Sequence, residues 1–202
     1  MNRRLIIFTR FPEPGRVKTR LIPVLGPQGS ADLHRRLTAL TIEWAFELME
    51  RQLVQVDIYF DGGTSEQMKA CFGSHLHFTR QIDGDLGQRL IAAIGKVEVP
   101  TVVVGTDCPR LGGSEVVRAF EALETRDLVL GPARDGGYYL IGLKKLTPQI
   151  FIDIEWGTSD VCRVTQEVAA RQGLTVSLLQ VLDDVDRPED LQRLDARLLN
   201  RT

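Results

Sequence analysis

Thr101-Val-Val-Val-Gly-Thr-Asp-Cys-Pro-Arg-Leu111 is the stretch on which the fold turns. Four β-branched residues in a row, Thr101 to Val104, predict a strand buried on both faces, as in a parallel sheet. Gly105 stops the run, and Pro109, with no N–H to donate, lies beyond it. Asp107 therefore falls at the carboxyl end of a central strand, where α/β sheets bind ligands. Two roles stay open for it: a site carboxylate, or a cap for the helix beginning near Gly113, which Ser114 could cap instead.

On either side of this stretch, strand and helix patterns alternate. Residues 5–9, 54–60, 76–81, 127–131 and 175–182 read as strands. Residues 28–50 read as a helix, with Leu33, Leu37, Leu40, Trp44 and Leu48 on one face. Further helices are expected over 65–72, 85–94, 115–124, 158–173 and 188–199. This alternation predicts a three-layer α/β/α fold with a mostly parallel central sheet. No repeat, linker or low-complexity segment interrupts it, so residues 1–202 are expected to form one domain.

A chain of 202 residues can bury a real core, and its formal net charge of -2 favours neither nucleic acid nor an anionic membrane. Any polyanion site must be local. Cys71, Cys108 and Cys162 form no CxxC pair, which argues against a zinc site or disulfide framework and fits a reducing cytoplasm. The apolar run after Arg3 and Arg4 is too short for a signal segment or membrane span, and no later segment is long enough. The expectation is a cytoplasmic protein with small-molecule partners and no membrane span; a homodimer is an assembly it allows.

Arg10-Phe-Pro-Glu-Pro-Gly-Arg-Val-Lys-Thr-Arg20 follows the first strand. Pro12, Pro14 and Gly15 exclude regular structure there. Arg10, Arg16, Lys18 and Arg20 suit a di- or triphosphate, since arginine offers bidentate bonds and lysine a point charge. The loop is not a Walker A motif, and a solvated basic loop remains the alternative. Asp107, beside Thr106, is a candidate ligand for Mg²⁺ or Mn²⁺, hard cations that take carboxylate and phosphate oxygens.

Gly131-Pro-Ala-Arg-Asp-Gly-Gly-Tyr-Tyr-Leu-Ile-Gly142 offers an acceptor site. Gly136 and Gly137 allow close backbone approach, and Asp135 is a candidate base. An ordinary turn at 135–136 is the alternative. Tyr138 and Tyr139 point to opposite faces if extended, so at most one is expected to face a ligand and the other to pack. In Leu182-Asp-Asp-Val-Asp-Arg-Pro-Glu-Asp-Leu191, Asp186 and Glu189 have capping-box spacing, with Pro188 in the first turn. Asp184 falls on the same side as Asp186 and has no capping duty. It is the more purely functional candidate to join Asp107 at a metal. Asp85, at the entrance to its helix, either caps it or contacts a base or ribose. Thr158 or Ser159 is a natural cap after Trp156. His34 is expected on the helix surface, and His75 and His77 lack a third ligand nearby. No GxSxG or Cys-His pattern suggests a hydrolase.

Phe8-Thr-Arg-Phe-Pro-Glu-Pro-Gly-Arg-Val-Lys-Thr-Arg-Leu21, Gly84-Asp-Leu-Gly87, Gly105-Thr-Asp-Cys-Pro109, Asp135-Gly-Gly-Tyr-Tyr-Leu-Ile-Gly142, Trp156 with Thr158, and Asp184-Val-Asp-Arg-Pro-Glu-Asp-Leu191 occur in that order. Together they resemble the radical-SAM/selenodomain-associated transferase 1 family, DUF2064, of the GT-A or nucleotide-diphospho-sugar transferase superfamily. The family more often has serine at position 157 and threonine at 187, where this chain has Gly157 and Arg187. The resemblance implies a GT-A-like domain with a nucleotide at the carboxyl ends of the first strands. The loop bearing Arg10, Pro14, Gly15, Arg16, Lys18 and Arg20 would hold phosphates, with Asp85 and Thr106 nearby. Asp107 would stand in for the superfamily's metal-binding aspartate.

The leading expectation is a metal-dependent transferase using a nucleotide-sugar donor. Asp107, Asp184 and Asp186 would serve Mg²⁺ or Mn²⁺, and Asp107, Lys18 and Asp135 the chemistry. Asp135, Gly136, Gly137, Tyr138 and Trp156 would face a small-molecule acceptor. A nucleotidyltransferase resembling the phospholactate guanylyltransferases or molybdenum-cofactor nucleotidyltransferases is the alternative, and a non-catalytic nucleotide-binding module the second alternative.

Overall fold

The computed structural model describes residues 3–95, 99–194 and 198. β1 (Arg4–Arg10) leads through the basic loop into α1 (Ile22–Glu50). β2 (Gln55–Asp61), α2 (Ser65–Phe72), β3 (Phe78–Arg80) and α3 (Leu86–Ile94) follow. Then come β4 (Thr101–Val104), α4 (Gly113–Ala122), β5 (Leu128–Pro132), β6 (Tyr138–Leu143), α5 (Val161–Arg171) and β7 (Val176–Leu178). The seven strands form one sheet in the order β3-β2-β1-β4-β6-β5-β7. β6 alone runs against the others, antiparallel to both β4 and β5.

The alternation of side chains along β1 and β4 builds the layers. Leu5, Ile7, Val102 and Val104 pack with residues of α1, α2 and α4 on one face. Ile6 and Val103 pack with α3 and α5 on the other. Full burial of one such side chain stabilises the fold by about 1.5–3 kcal/mol, so a one-residue slip of β4 would be strongly disfavoured. This is the expected α/β/α arrangement, with the carboxyl ends of β1, β2 and β4 at one edge.

Several local expectations are corrected. The run 138–142, expected to contribute to an acceptor site, lies wholly within strand β6, and Tyr139 to Gly142 are buried. Tyr139 packs in one core layer, and its hydroxyl donates to the Gln180 carbonyl at 3.0 Å. Tyr138 packs in the other layer, edge to face with Trp156. Helix α1 begins earlier than position 28 and breaks at Gly26, whose φ of 69° precedes Pro27. Ser114 does not cap α4: the Glu115 carboxylate accepts from the Gly112 N–H and from the Ser114 hydroxyl. Thr158 and Ser159 do not cap α5, which starts at Val161; the Thr158 hydroxyl donates to the Glu155 carbonyl.

The final helix is a 3-10 turn over Pro188–Arg193. Most of the remaining expected helix, 194–199, lies outside the described residues. Asp186 does not cap this turn. The cap falls one residue later, where the Asp190 carboxylate accepts from the Asp186 and Arg187 N–H groups.

Candidate active site

The basic loop crosses the mouth of the sheet at the end of β1. Its first part closes a turn, with the Arg16 N–H donating to the Glu13 carbonyl at 3.0 Å. Pro14 and Gly15 form the exposed tip of that turn. Lys18 then takes a left-handed conformation, φ 48°, uncommon for a residue with a side chain and costing on the order of 1 kcal/mol. That turn sends the side chain inward, where it is only 3% exposed.

The Lys18 ammonium donates to the Val185 carbonyl at 2.6 Å and to Asp107 Oδ1 at 2.7 Å. Asp186 Oδ1 lies 3.8 Å from it, and Arg20 pairs with the same Asp186 carboxylate. Asp107 caps no helix; its own carbonyl accepts from the Val185 N–H. Desolvation opposes the Asp107 charge, but the Lys18 ammonium beside it outweighs that and holds the carboxyl below its ordinary range. A carboxylate kept charged beside a buried ammonium is a signature of functional sites.

His34 is also in this site. The expectation of a surface position fails because His34 shares the inner face of α1 with Ser30, Leu37, Thr38 and Thr41, all buried. Its Nε2 lies 3.1 Å from the Arg10 carbonyl and its Nδ1 3.9 Å from Asp107 Oδ1. Burial lowers its pKa, which leaves the imidazole neutral at pH 7. Beneath it, the buried hydroxyls of Thr9, Thr38 and Thr106 lie 3.0–3.5 Å apart. The spacing of polar residues at 34, 38 and 41 was the available sequence signal, masked by the leucines on the same helix.

Lys18, Asp107, Asp186, His34, Thr9 and Thr106 line a cleft of about 660 Å³. Arg10, Arg16, Lys18, Arg20 and Arg89 surround it, against the two carboxylates of Asp107 and Asp186. Its positive balance contrasts with a chain whose formal net charge is -2. Arg10, Arg16, Lys18, Arg20, Thr106 and Asp107 thus share one cleft, whereas Pro14 and Gly15 do not line it. At its far end lie Gly84, Leu86 and Gln81. Asp85 caps α3, accepting from the Gln88 N–H at 2.8 Å. Asp135, Gly136, Gly137, Tyr138 and Trp156 do not line this cleft. Asp135 Oδ1 accepts from the Gly137 N–H at 2.9 Å, closing the hairpin into β6. Gly136, at φ 93°, lies against Ser159, whose carbonyl would be 1.9 Å from an added Cβ.

Among the described residues, no three His, Cys, Asp or Glu side chains stand close enough to enclose a metal. Mg²⁺ needs no such cage, since it takes one or two carboxylates, substrate phosphates and several waters. Asp107 and Asp186 fit that pattern, and the buried Nδ1 of His34 has no hydrogen-bond partner.

Asp184, expected to outrank Asp186, does not line the cleft, although it stands close enough to Lys18 and Asp186 for their charges to act on it. Leu182 and Val185 are both buried, three positions apart, so the segment does not keep strict alternation. Burial and the neighbouring Asp135 charge push the Asp184 pKa up to about 6. A carboxyl raised above its unfolded value, about 3.9, leaves stability intact below that value and erodes it as pH rises toward 6. Asp184→Asn should therefore melt above the parent at pH 7.5 in EDTA, with the gain closing by pH 4. A gain independent of pH would remove the charge as its cause.

DUF2064, described as "Uncharacterized protein conserved in bacteria", matches residues 41–158. A solved structure from Desulfovibrio desulfuricans G20, named as a candidate nucleotide-diphospho-sugar transferase, is 34% identical with a TM-score of 0.82. That match covers 92% of this chain and 82% of the other. A 2-phospho-L-lactate guanylyltransferase from Methanopyrus kandleri is 32% identical over 126 residues. The match covers 59% of this chain and 63% of that relative, less than two thirds of its length. A candidate glucose-1-phosphate thymidylyltransferase from Bacillus anthracis shares the fold at 14% identity, with a TM-score of 0.58 over 99% of this chain and 96% of that one. No helix among the described residues is long and apolar enough to cross a membrane.

Proposed function

Because this chain belongs to the DUF2064 family, on a fold built like those of nucleotidyl and sugar transferases, we propose that it transfers a nucleotidyl group from a nucleoside triphosphate to an anionic, phosphorylated acceptor. The observation that carries this reading is the cleft itself. Cations crowd its lining, and both carboxylates there are ion-paired, Asp107 with Lys18 and Asp186 with Arg20. Neither is free to act as a base. Asp135, the expected base, lies outside the cleft and is tied into its hairpin. An acceptor phosphate is already ionised and needs no base. Its oxygen bonds to the α-phosphorus, the bond to the bridging oxygen breaks, and pyrophosphate leaves with the electron pair. Arg16, Lys18 and Arg20 supply charge where that leaving group develops it.

Asp107 and Asp186 would hold Mg²⁺ or Mn²⁺ with the donor's phosphates. When bound, such an ion neutralises phosphate charge and orients the oxygens in line. The chain's own part is to fix Asp107 through Lys18 and the Val185 backbone.

The similarity to a guanylyltransferase makes GTP with 2-phospho-L-lactate the first pair to test, within a panel of triphosphates and phosphorylated acids. Pyrophosphate released only when donor and acceptor are both present supports the reading. The similarity to the Desulfovibrio structure favours a second reading, glycosyl transfer from a nucleotide sugar. Release of nucleoside diphosphate from nucleotide sugars, without pyrophosphate, would select it. Nucleotide binding with neither product would leave a non-catalytic module.

A further inference from the structure

His34 forms part of the cleft wall and is only 5% exposed. Its Nε2 lies 3.1 Å from the Arg10 carbonyl oxygen. A carbonyl can only accept, so Nε2 carries the hydrogen, and in a neutral ring Nδ1 is a bare acceptor. Nδ1 is buried and has no hydrogen-bond partner in the protein. It faces Asp107 Oδ1 at 3.9 Å, beyond hydrogen-bond reach. Asp107 Oδ1 already accepts from Lys18, so Nδ1 is the atom left without a donor, which buried polar groups seldom tolerate. The gap calls for an O–H group. A water on a hydrated divalent cation can supply one, and so can a ribose hydroxyl of the nucleotide.

We propose that His34 Nδ1 accepts a hydrogen bond from a water bound to a divalent cation at Asp107, which makes His34 a positioning residue for that cation. Asp107 favours this source over the ribose, because its carboxylate is the natural cation ligand and Mg²⁺ retains several waters. Partners of this outer kind change metal affinity by about 10–100-fold. The same ring bonds to Arg10 at the start of the basic loop, so it links the cation position to the loop that would hold phosphates. The inference rests on the reading of the cleft as a cation-assisted nucleotide site.

The test uses two amide variants of the whole chain. In His34→Asn the amide oxygen stands near the place of Nδ1, and in His34→Gln the amide nitrogen stands near that of Nε2. Mn²⁺ is titrated without nucleotide and followed by electron paramagnetic resonance. The expected result is an affinity loss of about 10-fold or more for His34→Gln. His34→Asn, which keeps the acceptor, should rescue most of that loss, with both variants melting close to the parent. In parallel, GTP is titrated in EDTA, where His34→Gln, which keeps a donor to the Arg10 carbonyl, should match the parent. Weakened metal-free GTP binding in His34→Gln with intact Mn²⁺ affinity would assign the gap to a ribose hydroxyl and overturn the proposal. Equal Mn²⁺ affinity in both variants and the parent, or equal losses in both variants, would overturn it too. A parent that binds no Mn²⁺ would also do so, while its pyrophosphate assay would still report separately on nucleotidyl transfer.

Discussion

Asp107→Asn is expected to cut kcat/KM by about 10³-fold, the scale at which a site loses a group that anchors its transition-state charge. Asparagine keeps the shape and can still accept from Lys18, but it removes the charge that Lys18 and a divalent cation share. Folding should suffer less. Lys18 keeps its 2.6 Å bond to the Val185 carbonyl and has Asp186 within 3.8 Å as a remaining counter-ion. The checks are steady-state kinetics and a thermal melt. A variant that turns over like the parent would reduce Asp107 to a backbone anchor for Val185.

Lys18→Ala should weaken nucleotide binding by about 1.5–3 kcal/mol, the worth of a hydrogen bond to a charged group. That is about 10–150-fold in Kd. In the free protein the ammonium is already committed to Asp107, so a bound phosphate competes for it and the lower half of that range is expected. A second readout separates this role from simple loss of structure. With the ammonium gone, the Asp107 carboxylate is unshared, and Mn²⁺ binding without nucleotide should become tighter while nucleotide binding weakens. Unchanged nucleotide affinity would remove Lys18 from the donor site.

The strength of the sequence signal varied with how directly a residue's neighbours reported its environment. Thr101 to Val104 needed no context, because four β-branched residues in sequence suit a strand covered on both faces. The basic loop was equally legible, since proline, glycine and four cations leave few other readings. β6 was hidden by the glycines that flank it, which look the same in a ligand loop and in a hairpin. His34 was hidden by the leucines around it, although its own spacing to Thr38 and Thr41 places it on the inner face of α1. That Asp186 rather than Asp184 lines the cleft was not legible, because Leu182 and Val185 are both buried, which breaks the alternation an extended chain would keep.

The bond from Lys18 to the Val185 carbonyl joins positions 167 residues apart in the chain. Closing so long a loop costs entropy before the contact repays it. During synthesis β1 and the basic loop emerge early, yet the ammonium they present lacks two of its oxygen neighbours until the segment around Val185 and Asp186 has emerged and docked. Until then the lysine is a solvated cation on an unfinished edge. The cleft is thus completed among the last steps of folding, and nucleotide binding would distinguish a chain finished through position 186 from one that is nearly so.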